Sequence, residues 1–194
     1  ANALLQICYA PCPALAIVGS VSTRTMEQLA FCQKQGAVIH KLPMEQLYEG
    51  ASLAPYIHAA IASLDEGTDV LVTAAATRED YETFLDYGKE RSISSDELAA
   101  FTKRILSQTA MAITAHSSLC GLFLTGGDTA IAVVEQLQAC GFQIEREILP
   151  GFVQGRLLEG VCPQLPVVTK AGAFGDAPDI WKALQCLKKI PRNA

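Results

Sequence analysis

Short apolar runs that stop at glycine or serine alternate in this chain with longer stretches of helical spacing. Leu15–Val18 is wholly apolar and ends in Gly19-Ser20, which reads as a first strand and its turn. Ser22 or Thr23 then caps a helix with Met26, Leu29, Ala30 and Cys32 on its inner side. Gly36 closes it in the place glycine usually takes after a helix. Ala37–Leu42 reads as the next strand. After a loop at Pro43, Ile57, Ala60, Ile61 and Leu64 mark a helix that ends near Gly67. Asp69–Ala74 is a continuous run of Val and Leu, the pattern of a strand covered on both faces. Thr77–Ser95 breaks this rhythm: it is polar, dense in charge and weakly periodic, so a surface loop is expected there. Ser95-Asp96-Glu97 opens a long helix through Leu98, Phe101, Ile105 and Leu106 to about Thr114.

In the second half, the strand Leu122–Leu124 runs into Gly126-Gly127, and Asp128 and Thr129 are expected to cap a helix over Ala130–Ala139. Phe142–Leu149 is strand-like, and Gly151 and Gly155 flank a turn. Arg156–Val161 and Pro166–Thr169 read as further strands, and Pro178–Lys189 as the closing helix. The order predicts an α/β fold: a mostly parallel sheet with helices on both faces and some antiparallel strands towards the C-terminus. Sheets of this kind bind ligands beyond the carboxyl ends of their strands. Gly19-Ser20, Gly126-Gly127 and Gly172…Gly175 all fall at such ends, and they are expected to meet in one cleft.

The chemistry concentrates in two of these turns. A strand–Gly-Gly–helix joint gathers free backbone N–H groups and the positive end of a helix dipole, which suits a phosphate. Gly126, Gly127, Asp128 and Thr129 form one such joint. Lys170, Gly172 and Gly175 form the second, where the lysine can neutralise a phosphate as a point charge. Two mouths with a lysine between them point to a polyphosphate ligand, most simply a nucleotide. Plainer roles stand beside each: a tight turn with an aspartate cap, a strand-end lysine, Ser20 and Ser22 as caps. Neither G-x-x-x-x-G-K-[ST] nor G-x-G-x-x-G occurs.

Composition narrows the class. The 194 residues, 50% hydrophobic and 18% charged, read as a single α/β nucleotide-binding domain over 1–194, with 1–14 an N-terminal extension or linker. The net charge of −5 argues against a nucleic-acid partner. Basic residues are scattered, apart from Lys188-Lys189…Arg192, which reads as a solvated helix end. No apolar run is long enough for a membrane span, and Ala1–Pro13 lacks a signal-peptide pattern. Seven dispersed cysteines without a Cys-x-x-Cys pair read as reduced and mostly buried, in a cytoplasmic protein. His40, His58 and His116 stand apart from other ligand types, so no metal-ligating residues are expected. A triad of Ser20, His116 and Asp128 has no G-x-S-x-G elbow behind it.

Four blocks then carry a family likeness. They are Val18-Gly19-Ser20-Val21-Ser22 with Thr25 and Gln28, Leu124 to Ala130, Pro150-Gly151…Gly155, and Pro166 to Gly175. Together, over about Leu15 to Ile190, they resemble the C-terminal, nucleotide-binding domain of the four-carbon acid sugar kinases. The resemblance implies a kinase that uses ATP and Mg²⁺ to phosphorylate a hydroxyl of a tetronate, threonate, erythronate or oxo-tetronate. It places ATP at Ser20 or Ser22, at Gly126, Gly127, Asp128 and Thr129, and at Gly172. Full-length members also carry a sugar-acid-binding domain with an aspartate-rich turn that has no counterpart here. The catalytic base and the sugar-acid contacts are therefore expected on that domain, and no catalytic residue is assigned in this chain. A homodimer is a further expectation. The competing readings are a non-catalytic nucleotide-sensing module and a structural or oligomerisation domain.

Overall fold

The computed structural model describes residues 12–190. Its strands are β1 (Ala14–Val18), β2 (Val38–Lys41), β3 (Val70–Thr73), β4 (Gly121–Thr125), β5 (Gly141–Leu149), β6 (Phe152–Leu158) and β7 (Pro166–Lys170). They form one sheet in the order β2-β3-β1-β4-β7-β6-β5. The first five strands of that order run parallel; β6 and β5 are antiparallel additions. The fold is the expected α/β class. β1, β3 and β4 are buried along their whole length, which requires cover on both faces.

Among the described residues seven helices supply that cover: α1 (Thr23–Lys34), α2 (Met44–Tyr48), α3 (Ala54–Asp65), α4 (Arg78–Glu90), α5 (Ser95–His116), α6 (Gly127–Gln136) and α7 (Asp179–Leu187). Alternate residues of β1 point to opposite faces. Ala14, Ala16 and Val18 meet Leu29 and Cys32 of α1 and Ile180 and Leu184 of α7. Leu15 and Ile17 belong to the larger core built by α2 to α6, with Leu64, Phe84, Phe101, Ile105 and Val133.

Several expectations need correction. Thr77–Ser95 is mostly the helix α4, not a loop. Thr77 Oγ1 accepts from the Asp80 N–H while the Asp80 carboxylate accepts from the Thr77 N–H, a reciprocal cap that starts the helix. Phe84, Tyr87 and Gly88 then face the core. A Cβ at Gly88 would lie 2.4 Å from Leu98 Cδ1, so glycine there lets α5 pack closely. The loop at Pro43 continues directly into the short α2. Gly155 does not flank a turn: it lies inside β6, where a Cβ would come within 2.2 Å of Gln143 O on β5. β6 therefore starts at Phe152 and ends at Leu158, while Gly151, at φ +76°, serves the turn.

At the sheet's opposite end, Lys188 is more than a solvated helix end. Its Nζ lies 2.6 Å from Asp69 Oδ2, and Asp69 Oδ1 accepts from Ala14 N–H at 2.9 Å. Of the cysteines in described residues only Cys32 and Cys120 are buried; Cys140 is exposed and the other three are half-buried. Ala14 already belongs to β1, inside the stretch assigned to an extension. Cys8, Arg192 and most of the stretch read for a signal peptide lie outside the described residues.

Candidate functional site

β1, β4 and β7 are consecutive in the sheet, so the segments that leave their carboxyl ends lie side by side. The first two turns touch through backbone. Gly19 N–H donates to Thr125 O at 2.9 Å. A Cβ at Gly19 would sit 1.9 Å from Thr129 Oγ1, and one at Gly126 would sit 3.2 Å from Gly19 C and Ser20 N. Gly126 also holds φ +92°, open to glycine and strained for other residues. Both glycines are required by this approach.

That contact changes how α6 begins. Its N-cap is Gly126, with no side-chain cap, and Ala130 N–H already bonds Gly126 O at 2.9 Å. Asp128 and Thr129 therefore stand inside the first turn and do not cap it, and the helix ends at Gln136, short of Ala139. Helix geometry leaves the N–H groups of Gly127, Asp128 and Thr129 without an intrahelical acceptor, at the positive end of the dipole. By contrast, α1 carries a side-chain cap: Ser22 Oγ accepts from Thr25 N–H at 3.2 Å.

The uncapped terminus opens on a cavity of about 390 Å³. Gly19 and Gly126 to Thr129 form one wall, and Tyr81, Phe84 and Leu98 of α4 and α5 form the apolar wall opposite. Asp80, Ser95 and Lys103 add polar groups to it. Sequence reasoning missed this second wall with α4; the Thr77-x-x-Asp80 cap was the signal that could have found it.

The third turn is organised differently. Lys170 ends β7 and is 3% exposed. Its Nζ donates to Thr25 Oγ1 at 2.9 Å and to Gly172 O at 2.7 Å. Thr25 Oγ1 lies a further 2.9 Å from Ser20 Oγ and 3.0 Å from Ser22 Oγ, so a chain of polar contacts joins the third turn to the first. Among the described residues no carboxylate pairs with Lys170. Burial lowers its pKa to about 8, and the charge of Arg24 adds to that effect. The Gln28 amide donates to Phe174 O and Asp176 O at 3.2 and 3.0 Å and holds the turn against α1. Gly172 and Gly175 both have positive φ; a Cβ at Gly175 would meet Phe152 Cε2 at 2.7 Å.

The three turns are thus adjacent, but they do not line a single hollow. Gly126, Gly127, Asp128 and Thr129 face the cavity on the α4–α5 side. Ser20, Ser22, Lys170 and Gly172 form a polar cluster on the α1 side, and Gly19-Ser20 is the seam between them. Gly175 lies further along, packed on β6. His40, His58 and His116 are on β2, α3 and α5. Among the described residues no group of three or more His, Cys, Asp or Glu could hold a metal ion, and no helix is long and apolar enough to cross a membrane.

Residues 15–178 match the family model described as a nucleotide-binding C-terminal domain. A D-threonate kinase of Salmonella typhimurium is 28% identical over 182 residues, covering 92% of this chain and 43% of the relative. A D-erythronate kinase of Heliobacterium modesticaldum is 29% identical over 176 residues, covering 84% and 39%. A crystal structure of a domain of unknown function from Bordetella bronchiseptica, a domain-swapped dimer with bound citrate, superimposes with a TM-score of 0.70 at 27% identity. That match covers 92% of this chain and 40% of the other. The chain spans about two fifths of the length of the curated relatives it matches.

Proposed function

The chain belongs to the nucleotide-binding C-terminal domain family of the four-carbon acid sugar kinases, and on that basis we propose that it is the ATP-binding part of such a kinase. The reaction is transfer of the γ-phosphate of ATP to a hydroxyl of a tetronate, threonate, erythronate or oxo-tetronate. The observation that carries the reading is the uncapped start of α6 at the Gly19–Gly126 contact, beside a buried lysine that pairs with no carboxylate among the described residues.

In this reading the N–H groups of Gly127, Asp128 and Thr129 receive phosphate oxygens, as helix starts do. Lys170 neutralises charge next to them, with the Ser20 and Ser22 hydroxyls and the Gly172 and Gly175 turn at the same edge. The apolar wall from α4 and α5 gives the nucleoside a place out of water. Protein positioning and charge compensation are most of what phosphoryl transfer asks of a binding site. Asp128, acting through water, would hold the Mg²⁺ that accompanies ATP, and the ion would supply charge neutralisation at the phosphates. The contacts to the sugar acid and the general base belong to a separate sugar-acid-binding domain. The domain-swapped relative supports a homodimer.

The test is calorimetric titration of the chain with a non-hydrolysable ATP analogue, with and without Mg²⁺. Saturable binding that Lys170→Ala weakens about tenfold or more is expected. No binding at millimolar nucleotide would remove the reading.

A further inference from the structure

α1 packs its inner side against the sheet and α7, yet two of its buried positions are polar: Thr25 and Gln28 are both 0% exposed. They are three residues apart and so lie on one helix face. Packing gives no reason for a hydroxyl at position 25, and a buried hydroxyl is costly unless its bonds are made. The hydroxyl of Thr25 has three partners within bonding distance, namely Lys170 Nζ, Ser20 Oγ and Ser22 Oγ. An ammonium only donates, so Thr25 accepts from Lys170. One lone pair and one proton remain for the two serines, which uses the full capacity of the group.

From this we propose that Thr25 is a positioning residue, whose hydroxyl fixes the Lys170 ammonium at the strand edge and ties it to the serines of the first turn. The proposal rests on the nucleotide reading of this site. It adds a residue outside the glycine turns that decides where the charge stands before a phosphate arrives. Among the described residues Lys170 has one other acceptor, Gly172 O, which sits on a turn with φ +30°. Removing the Thr25 oxygen leaves the burial unchanged and takes away one of two groups that favour the charged form. Other charges around the ammonium do not replace it. Arg24 on α1 opposes the ammonium and pairs with Glu27. Asp179 on α7 is bound to Lys182 and to Asp176 N–H, and neither Asp176, on the same turn, nor Asp128, on α6, forms an ion pair with Lys170.

The experiment reads Lys170 directly, by NMR of its side-chain Cε and Nζ through a pH titration of the chain without ligand. Thr25→Val, which keeps the shape and loses the oxygen, should lower the midpoint by about one pH unit from its starting value of about 8. Thr25→Ser should restore it. Thr25→Ala, which does not depend on fitting a second methyl, should shift it in the same direction as valine. Ser94→Ala, which removes the α5 cap and with it side-chain bonds to Glu97 but to no member of this cluster, is the control for general loosening and should leave the midpoint in place. With the ATP analogue at neutral pH, Thr25→Val should bind about tenfold more weakly, and Thr25→Ser within about twofold of the parent. A Thr25→Val midpoint equal to the parent's, or a Ser94→Ala shift as large, overturns the assignment. If the parent chain binds no nucleotide, the proposed function fails, and the ligand-free titration still decides whether Thr25 holds Lys170.

Discussion

Lys170 shows most directly how a single residue is set for the role proposed for it. It is buried, its pKa is lowered to about 8 by desolvation and then by Arg24, and its partners are neutral oxygens. Between about pH 8 and the ordinary lysine value of 10.5 the folded chain binds fewer protons than the unfolded one at this position, so stability rises with pH across that window. Below it the full cost of a buried ammonium is present. A phosphate needs the ammonium form, so affinity for the ATP analogue should fall as pH rises through about 8, and binding below that point should raise the lysine's midpoint. Calorimetry at several pH values checks this; a flat profile would separate Lys170 from the ligand. The same argument makes Lys170→Met a trade. It removes a desolvated charge, so the ligand-free melting temperature at neutral pH should rise, while nucleotide affinity drops. Gly19 makes the complementary point through shape. Gly19→Ala puts a methyl 1.9 Å from Thr129 Oγ1, and the overlap should cost about 1–3 kcal/mol in urea unfolding, because Thr129 Cβ, at 2.7 Å, is fixed to α6 and cannot rotate away.

At the scale of elements, what was legible depended on whether the cause was local. β1, β3 and β4 are continuous apolar runs, and such runs announce themselves. α4 was hidden because its outward charges outnumber the three positions that face the core, Phe84, Tyr87 and Gly88. Its start, however, is written locally in Thr77 and Asp80. Asp80 also pairs with Lys41 on β2 and takes the Ala76 N–H at 3.0 Å. Asp80→Ala should therefore destabilise the chain by about 1–2 kcal/mol in urea and raise amide exchange across Arg78–Tyr81. An effect within error would mean that core contacts alone hold the helix. The start of α6 and the place of Gly155 were read wrongly for the opposite reason. Asp128 and Thr129 have the residue types of a cap, but Gly126 begins the helix because Gly19 lies against it from another strand. Gly155 resembles a turn residue, but it stays in its strand because Gln143 O leaves no room for a Cβ. Both causes act across the sheet and leave no trace in sequence spacing.

For the whole molecule the decisive fact is strand order. That three glycine turns end strands was readable; that β1, β4 and β7 stand next to one another was not, since β5 and β6 come between β4 and β7 in the chain and lie beyond β7 in the sheet. The order also explains why the candidate site divides into a cavity on the α4–α5 side and a charged cluster on the α1 side. Helices on opposite faces flank the same strand ends, and Gly19-Ser20 is the only seam among the three turns. A ligand that uses both sides must be extended and carry its charge at the seam, as a nucleoside polyphosphate does. The proposed function puts the general base on a separate sugar-acid-binding domain, and the chain spans about two fifths of its kinase relatives. Binding and turnover should therefore separate. With ATP, Mg²⁺ and threonate or erythronate, the chain alone should bind nucleotide and release no sugar-acid-dependent ADP. Addition of the sugar-acid-binding region of a relative as a second polypeptide should start that release, and Lys170→Ala should abolish it without loss of the assembly. A coupled ADP assay with size-exclusion of the mixture reads both. Sugar-acid-dependent turnover by the chain alone would place the base within these 194 residues. Binding without turnover in a stable assembly would favour a nucleotide sensor on the same scaffold.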